Sequence, residues 1–221
     1  MTRLPPGDEG TSVLELRMGS KPLIREIAET LLIMLVIFTL VRSVVQNFLV
    51  EGESMLPTLN DGEYVLLDHL SYFRWDDNLL PRLLGQDLPS QEHYLFGSGP
   101  QRGDIVIFRA WHEDKDYIKR VIGLPGETVE IRAYDHVYIN GVRLNEPYIH
   151  DTANYSYPPT VVPANTLFVL GDNRRNSSDS HLPDNGPVPM DRVVGRAWFA
   201  YWPPGSFGVL PHPTYDSKAG P

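Results

Sequence analysis

Residues 128–141 read Thr-Val-Glu-Ile-Arg-Ala-Tyr-Asp-His-Val-Tyr-Ile-Asn-Gly, and this stretch indicates the fold class of the chain. Two short runs rich in β-branched and aromatic residues, Thr128–Arg132 and His136–Ile139, lie on either side of polar residues, as strands of a hairpin do. Asn140-Gly141 follows, and both central residues of a type I′ turn need a positive φ, which Asn and Gly adopt readily. The stretch therefore predicts short antiparallel strands joined by tight turns.

The same pattern continues on both sides of this stretch. Asp61-Gly62 and Gly123-Leu-Pro-Gly126 are further turn signals, and no segment after residue 50 keeps a 3.6-residue apolar period for three turns. We therefore predict a mostly-β domain over residues 47–210. Its further strands are predicted at Tyr64–Asp68, Asp104–Arg109, Tyr117–Ile122, Leu167–Leu170 and Gly195–Tyr201.

Composition excludes several classes of protein. The chain has 221 residues, a formal net charge of −9 and only 19 Lys and Arg, so it lacks the basic balance typical of a nucleic-acid binder. It has no cysteine, which excludes disulfides, thiolate metal sites and a cysteine nucleophile. Its length suits one catalytic-sized domain or two small ones.

An uncharged apolar run at residues 30–41 predicts a membrane anchor near the N-terminus. Twelve helical residues rise only about 18 Å, so flanking residues must extend the span toward the roughly 30 Å hydrocarbon core. We predict a transmembrane helix over 23–46. A cleaved signal peptide is disfavoured because no small-residue cleavage site follows, and a buried core helix is the other alternative.

The charges on either side of the run predict its orientation. Arg17, Lys21 and Arg25 precede it, and beyond Arg42 the next basic residue is Arg74. By the positive-inside rule, residues 1–22 form a cytoplasmic tail and the β domain lies outside. Residues 71–101 interrupt the strand pattern and are predicted to be an insertion loop, and residues 211–221 a frayed C-terminal tail.

Most motifs of known enzymes are missing. There is no Gly-x-Ser-x-Gly elbow, His-Glu-x-x-His pair, P-loop or EF-hand loop, and the seven His have no metal-ligand spacing. A Ser-His-Asp triad stays open, since its members come from distant positions, but no local motif favours it. No metal or cofactor is expected.

Three segments stand out instead, at residues 51–59, 103–126 and 171–180. They contain Ser54-Met-Leu-Pro-Thr-Leu59, Gly103-Asp-Ile-Val-Ile-Phe108, Tyr117-Ile-Lys-Arg-Val-Ile-Gly-Leu-Pro-Gly126 and Gly171-Asp-Asn-Arg-Arg-Asn-Ser-Ser-Asp-Ser180. In this order, behind one anchor, these strings resemble those of the type I signal peptidases, membrane-bound serine endopeptidases that remove signal peptides from exported proteins. The resemblance spans roughly residues 25–202 and implies an all-β catalytic domain of the Ser/Lys protease fold.

The resemblance implies a Ser/Lys dyad with Ser54 as nucleophile and Lys119 as general base. A serine hydroxyl needs a base to take its proton, and a lysine of ordinary pKa, about 10.4, is almost always charged near neutral pH. Lys119 must therefore be buried, because desolvation lowers the pKa of an amine. On a strand, Lys119 shares a face with Tyr117, while Arg120 points to the other side.

By the same resemblance, Ser177 orients the lysine amine and Asp179 braces the site. Some members use a serine hydroxyl two residues before the nucleophile as an oxyanion donor, but this chain has Gly52 there. Arg175 and His181 stand where many bacterial members have Asp and Arg. These departures indicate a rearranged set of contacts around the dyad.

The implied substrates are signal peptides of secreted preproteins, cleaved after a small-x-small motif such as Ala-x-Ala. The peptide is expected to bind as an added strand beside a groove near the membrane lipid. Its walls are predicted from Gly52, Glu53, Met55, Asp116, Tyr117 and Ile118.

The expected location is the plasma membrane, with the catalytic domain extracytoplasmic, and a thylakoid membrane is the alternative. Three other functions were considered, and the first of them is disfavoured by the composition of residues 1–50. Self-cleaving repressors of the SOS type share the Ser/Lys β fold, but they carry a DNA-binding domain where this chain has an apolar run. A processing protease with few substrates is the second alternative. A membrane-anchored β-rich binding protein that has lost catalysis is the third.

Overall fold

The computed structural model describes residues 23–72, 74–76, 84, 92–94, 99–112 and 115–215. The chain divides into two compact units between Val41 and Arg42. The first described element is a helix, α1 (Leu23–Val44), whose apolar side chains are exposed, Leu32, Leu35 and Phe38 each by about 60%. Among the described residues, no helix combines the length and the apolar character that a bilayer crossing needs. The predicted membrane span is therefore not confirmed.

The helix ends at Val44, two residues before the end of the predicted span. The chain leaves the helix after Val44 and forms β1 (Val45–Leu49), which pairs antiparallel with β2 (Tyr64–Asp68). Phe48 packs against the core of the β domain, and Val50 is 1% exposed. Residues 46–50 thus belong to the β domain, where Val50 is buried, Phe48 is half-buried against the core and Leu49 is 38% exposed.

The remaining strands follow in chain order. They are β3 (Arg74–Asp76), β4 (Glu92–Tyr94), β5 (Ile105–Arg109), β6 (Asp116–Gly123), β7 (Thr128–Ile131), β8 (Val137–Ile139), β9 (Val142–Arg143), β10 (Tyr157–Val161), β11 (Thr166–Leu170), β12 (Val188–Pro189), β13 (Val193–Trp202) and β14 (Gly208–Val209). Short 3₁₀ helices lie at Leu70–Tyr72, Met190–Arg192 and Pro204–Ser206.

Within the described residues, the larger sheet has the strand order β1-β2-β13-β5-β6-β11-β12, with β14 added to β13. A second sheet has the order β10-β7-β8-β9. Every pairing is antiparallel, as the tight turns predicted. The mostly-β fold is confirmed, and the seven strands predicted from sequence all form within one or two residues of their expected bounds.

Two regions differ from the sequence-based expectation. The proposed insertion loop contains two paired strands, β3 and β4. Strand β10 has the sequence Tyr-Pro-Pro-Thr-Val and was not predicted. Its two prolines argue against a strand, because proline cannot donate a ladder hydrogen bond. The structure places β10 at the edge of the smaller sheet, where prolines are tolerated.

Strand β6 lies inside the larger sheet, between β5 and β11. Its residues from Ile118 to Gly123 are all buried, and the apolar ones pack on both faces of the sheet. Any polar side chain on this strand is therefore surrounded by protein. This location fixes the environment of Lys119 and Arg120.

Candidate active site

Ser54 lies in the loop between β1 and β2, and two buried side chains hold that loop. Met55 and Leu59 are both 0% exposed, and the Leu59 N–H donates to the Met55 carbonyl at 3.0 Å. The Val50 N–H donates to the Glu63 carbonyl at 2.8 Å and closes the base of the loop. The half-buried Ser54 hydroxyl is therefore presented from a well-packed segment.

Lys119 reaches the Ser54 hydroxyl from strand β6. Its Nζ is 2.7 Å from Ser54 Oγ and donates a second hydrogen bond to the Ile118 carbonyl at 2.9 Å. The residue is 4% exposed. Burial lowers the pKa of Lys119 to about 8, against the opposing effects of the Asp179 and Asp172 carboxylates, which favour the ammonium form. The geometry thus places a partly neutral amine against a serine hydroxyl.

The loop Gly171–Ser180 holds the backbone on either side of the nucleophile. The Asn173 N–H donates to the Ser54 carbonyl at 3.0 Å, and its side-chain amide donates to the Glu53 carbonyl at 3.1 Å. Gly171 is required at its position because a Cβ there would collide with the Ser54 carbonyl and with the Ser177 side chain. The loop and the Ser54 segment therefore fix each other.

Asp179 lies inside this loop and binds its backbone. It is 0% exposed, and its Oδ2 accepts the Gly171 N–H at 2.9 Å. Its Oδ1 contacts His181 Nδ1 at 2.5 Å, and the His181 ring stacks on Tyr155 with 3.7 Å between ring centroids. His181 thus takes part in the site through Asp179.

Ser177 differs from its expected role. Its hydroxyl is buried and has no hydrogen-bond partner among the residues that the structure describes. The amine of Lys119 donates to Ser54 and to the Ile118 carbonyl, and it makes no hydrogen bond with Ser177.

Arg175 and Asp172, on the same loop, both form ion pairs. Arg175 contacts Asp151 at 3.3 Å, and Asp172 accepts two hydrogen bonds from Arg120, at 2.8 and 2.7 Å. Arg120 therefore lies on the opposite face of β6 from Lys119, as the strand alternation predicted.

A cavity of about 480 Å³ opens beside the dyad. The predicted groove residues Asp116, Tyr117 and Ile118 line it, together with Phe48, Leu49, Glu51, Lys115 and Ser178. The other three predicted groove residues are not among its lining residues. Met55 is buried in the core, Gly52 bonds to Asp61 and Glu53 offers its carbonyl to Asn173.

The backbone near Ser54 provides one candidate oxyanion donor. Among the described residues, the Ser54 N–H has no hydrogen-bond partner. The Gly52 N–H is already bound, since it donates to Asp61 Oδ1 at 2.6 Å. Gly52 has φ +87°, a conformation that favours glycine, and this is why the chain turns tightly before the nucleophile.

This arrangement agrees with the comparison of the chain to known families. The family described as "Signal peptidase, peptidase S26" matches residues 23–202. The chain belongs to this family. It is a serine peptidase, a hydrolase, with the mostly-β fold of the signal peptidases.

This peptidase is similar to several bacterial proteins. A signal peptidase I of Leptolyngbya laminosa is 38% identical over 175 residues, which cover 75% of this chain and 73% of that protein. A signal peptidase I of Bacillus caldolyticus is 35% identical over 184 residues, which cover 76% of this chain and 85% of that protein. Signal peptidase I S of Bacillus subtilis is 32% identical over 198 residues, which cover 84% of this chain and 93% of that protein.

Three residues of this peptidase were not identified from sequence. Asp61 binds the Gly52 N–H, Glu146 forms a bidentate ion pair with Arg174, and Tyr148 lies against the Arg120 guanidinium at 4.1 Å. Only their partners Gly52, Arg174 and Arg120 lie in the three segments that the sequence motifs singled out. Across the described residues, no group of His, Asp and Glu has the arrangement of a metal site.

Proposed function

We propose that this chain removes signal peptides from exported preproteins, with Ser54 as nucleophile and Lys119 as general base. The observation that carries the proposal is the 2.7 Å distance between Lys119 Nζ and Ser54 Oγ at a buried amine. With a pKa of about 8, roughly a fifth of the Lys119 amine is neutral at pH 7.4, against about 0.1% for an ordinary lysine.

In the first step, the neutral amine of Lys119 accepts the Ser54 hydroxyl proton while Oγ bonds to the scissile carbonyl carbon. The carbonyl oxygen takes up the negative charge and is stabilised by the Ser54 backbone N–H. The Lys119 ammonium then gives its proton to the leaving amine as the peptide bond breaks. Water, deprotonated by the same amine, hydrolyses the resulting Ser54 ester.

The free edge of β6 supports binding of the substrate as an added strand. Strand β5 pairs with residues 116–120, whereas β11 pairs only from residue 120 onward. The second edge of residues 116–119 therefore has no strand partner among the described residues. An extended peptide can hydrogen-bond there and bring its scissile bond to Ser54. The names of the relatives point to signal peptides as substrates. Since signal peptides end in a small-residue cleavage site, we infer cleavage after a small-x-small motif such as Ala-x-Ala.

Membrane attachment through α1 is part of the proposal. The apolar run at 30–41, the exposed apolar side chains of α1 and the basic residues before it support an anchor with a cytoplasmic N-terminus. A plasma membrane is the expected site, with a thylakoid membrane as the alternative. Alkaline carbonate extraction of the expressed chain tests this: an anchored chain stays in the pellet, and a peripheral one is released.

The decisive experiment compares three forms of the full chain in detergent on a preprotein with an Ala-x-Ala site. We expect the native chain to cleave it and both Ser54→Ala and Lys119→Ala to lose at least a thousandfold in kcat. Activity retained by Lys119→Ala would place the general base elsewhere. A native chain inert on several preproteins would favour a binding protein that has lost catalysis.

A further inference from the structure

The chain after β14 runs back over the β domain and packs against it over residues 210–215. The Leu210 N–H donates to the Trp198 carbonyl at 2.9 Å, and Leu210 packs on the core formed by β1, β2, β5 and β13. Tyr215 packs on the separate core of the smaller sheet. We call residues 210–215 the C-terminal strap. Fraying was expected here from sequence, and the described part of this segment is instead held at both ends.

The strap packs against the backbone at Gly103, where the absence of a side chain leaves room for it. Gly103 has φ +95° and carries no side chain. A Cβ at this position would lie 2.9 Å from the Tyr215 ring and 3.1 Å from the Pro213 ring, closer than such atoms normally approach. The close approach of strap and backbone therefore depends on a glycine.

Beneath the strap lies the guanidinium of Arg120, which is 0% exposed. Its Nη1 donates to two carbonyls, that of Gly103 at 2.8 Å and that of Pro211 in the strap at 3.2 Å. The Tyr148 ring lies 4.1 Å from the guanidinium carbon, and the Tyr148 hydroxyl is 3.2 Å from the hydroxyl of Tyr215. The strap thus supplies one acceptor to Arg120 and supports the ring that stacks on it.

Arg120 connects this region to the nucleophile by two contacts. It binds both carboxylate oxygens of Asp172, and the next residue, Asn173, donates its N–H to the Ser54 carbonyl. It also lies 3.4 Å from Thr58 Oγ1, on the same loop as Ser54. In addition, Arg120 follows Lys119 directly on β6. Displacement of Arg120 would therefore move both members of the dyad.

We propose that the C-terminal strap is a positioning element of the active site, which holds the Ser54 loop and strand β6 in register through Arg120 and Asp172. This inference rests on the proposed function, because it assigns the strap a role in the same reaction. The strap does not touch substrate. Its effect is on geometry, and a misplacement of about 1 Å between reacting groups can lower a rate by about a hundredfold.

The test compares a chain that ends at Leu210 with a matched control that ends at Tyr215, both otherwise complete. Steady-state cleavage of the Ala-x-Ala preprotein is measured at a temperature where thermal unfolding curves show both chains folded. We expect the chain ending at Leu210 to lose at least tenfold in kcat with KM within about twofold, because the substrate groove lies away from the strap. The control should match the full chain.

Two point variants separate packing from the loss of a whole segment. Tyr215→Phe keeps the ring against Gly103 and removes only the hydroxyl contact with Tyr148, so it should lose less in kcat than Tyr215→Ala. Tyr215→Ala removes the ring and should lose several-fold in kcat. Equal kcat for Tyr215→Ala and the native chain would overturn the proposal, as would a loss of activity that follows only the unfolded fraction.

A second readout does not require turnover. The pKa of Lys119 is followed by NMR titration of ¹³C-labelled lysine in the native and shortened chains. Loosening of the loop admits water to the amine, so the chain ending at Leu210 should show a pKa higher by about half a unit or more. An unchanged pKa would overturn the strap's role even if the native chain proved inert on preproteins, an outcome that contradicts the proposed function alone.

Discussion

At the scale of single residues, the site depends on the burial of one amine. Lys119 is 4% exposed and has no carboxylate among its described hydrogen-bond partners, so its charged form is poorly solvated. That lowers its pKa to about 8 and makes the neutral base available. The same burial costs folding free energy, because the protonated lysine must leave water.

The first prediction concerns the pH dependence of activity. The value of kcat/KM should rise with pH and level off above about 8, because only the neutral amine accepts the serine proton. One unit below the pKa, activity should be about a tenth of its plateau. A pH series of initial rates at low substrate concentration measures this limb. A flat profile between pH 6 and 9 would contradict Lys119 as the base.

The second prediction concerns stability. Lys119 has a folded-state pKa below its unfolded value, so the folded state binds fewer protons between about pH 8 and 10.5. The buried lysine therefore lowers the free energy of unfolding by its full amount below pH 8, and this loss disappears as the pH rises toward 10.5. Lys119→Met should raise the free energy of unfolding at pH 7 by on the order of 2 kcal/mol.

Urea unfolding at pH 7 and at pH 10 provides the check. The stability difference between Lys119→Met and the native chain should shrink at pH 10, where the native lysine is neutral in the folded state. An equal difference for Lys119→Met at both pH values would mean that burial of the charge is not its cause.

At the scale of elements, the hairpin of β8 and β9 has the two-residue turn predicted from Asn140-Gly141. Their φ values are +52° and +79°. The Thr128 N–H donates to the Asn140 side chain at 2.8 Å and ties the turn to β7. Gly141 has open space around it, so only its backbone conformation demands glycine.

The third prediction follows from that turn. Gly141→Ala should lower the free energy of unfolding by about 1 kcal/mol, because an L-residue is strained at positive φ. Thermal or urea unfolding measures the loss, and kcat on the preprotein should stay unchanged since the turn lies outside the site. Gly205→Ala is the matched control, because Gly205 also has open space but no positive φ. Equal losses in both variants would contradict the explanation.

At the scale of the whole molecule, a buried ion pair joins the smaller sheet to the catalytic loop. Glu146 follows β9, and Arg174 belongs to the Gly171–Ser180 loop. Their two hydrogen bonds measure 2.9 and 2.5 Å, and both side chains are at most 2% exposed. Arg174 also donates to the Gly171 carbonyl at 3.0 Å. The pair therefore couples folding of the smaller sheet to formation of the loop.

The fourth prediction tests this coupling. Glu146→Gln leaves the buried Arg174 without its counter-ion and should lower the free energy of unfolding by about 3–5 kcal/mol. The double variant Glu146→Gln with Arg174→Met removes the unpaired charge and should recover part of that loss. Urea unfolding of the native chain and the two variants measures both effects. A double variant less stable than Glu146→Gln would show that the unpaired charge is not the main cost.

The strands and turns of the fold were predicted from residues that are close together in the sequence. The short runs rich in β-branched and other apolar residues at Tyr64–Asp68 and Asp104–Arg109 predicted strands, since strand propensity and nearby turn residues can be read locally. Asn140-Gly141 predicted its turn for a similar reason, because φ preferences belong to single residues. The spaced motifs around Ser54 and Lys119 were also visible, although their pairing came from a family resemblance and not from spacing.

Only the tertiary structure decided what these residues contact. It placed Val45 and Gln46 in strand β1 rather than in the helix, left the Ser177 hydroxyl without a described partner and packed the strap on Gly103. Each of these depends on a partner far away in the chain: β2 for Val45 and Gln46, the Gly171 turn for Ser177 and β6 for the strap. Burial and hydrogen bonding between such distant segments depend on how the segments pack together. Local patterns in the sequence do not predict that packing.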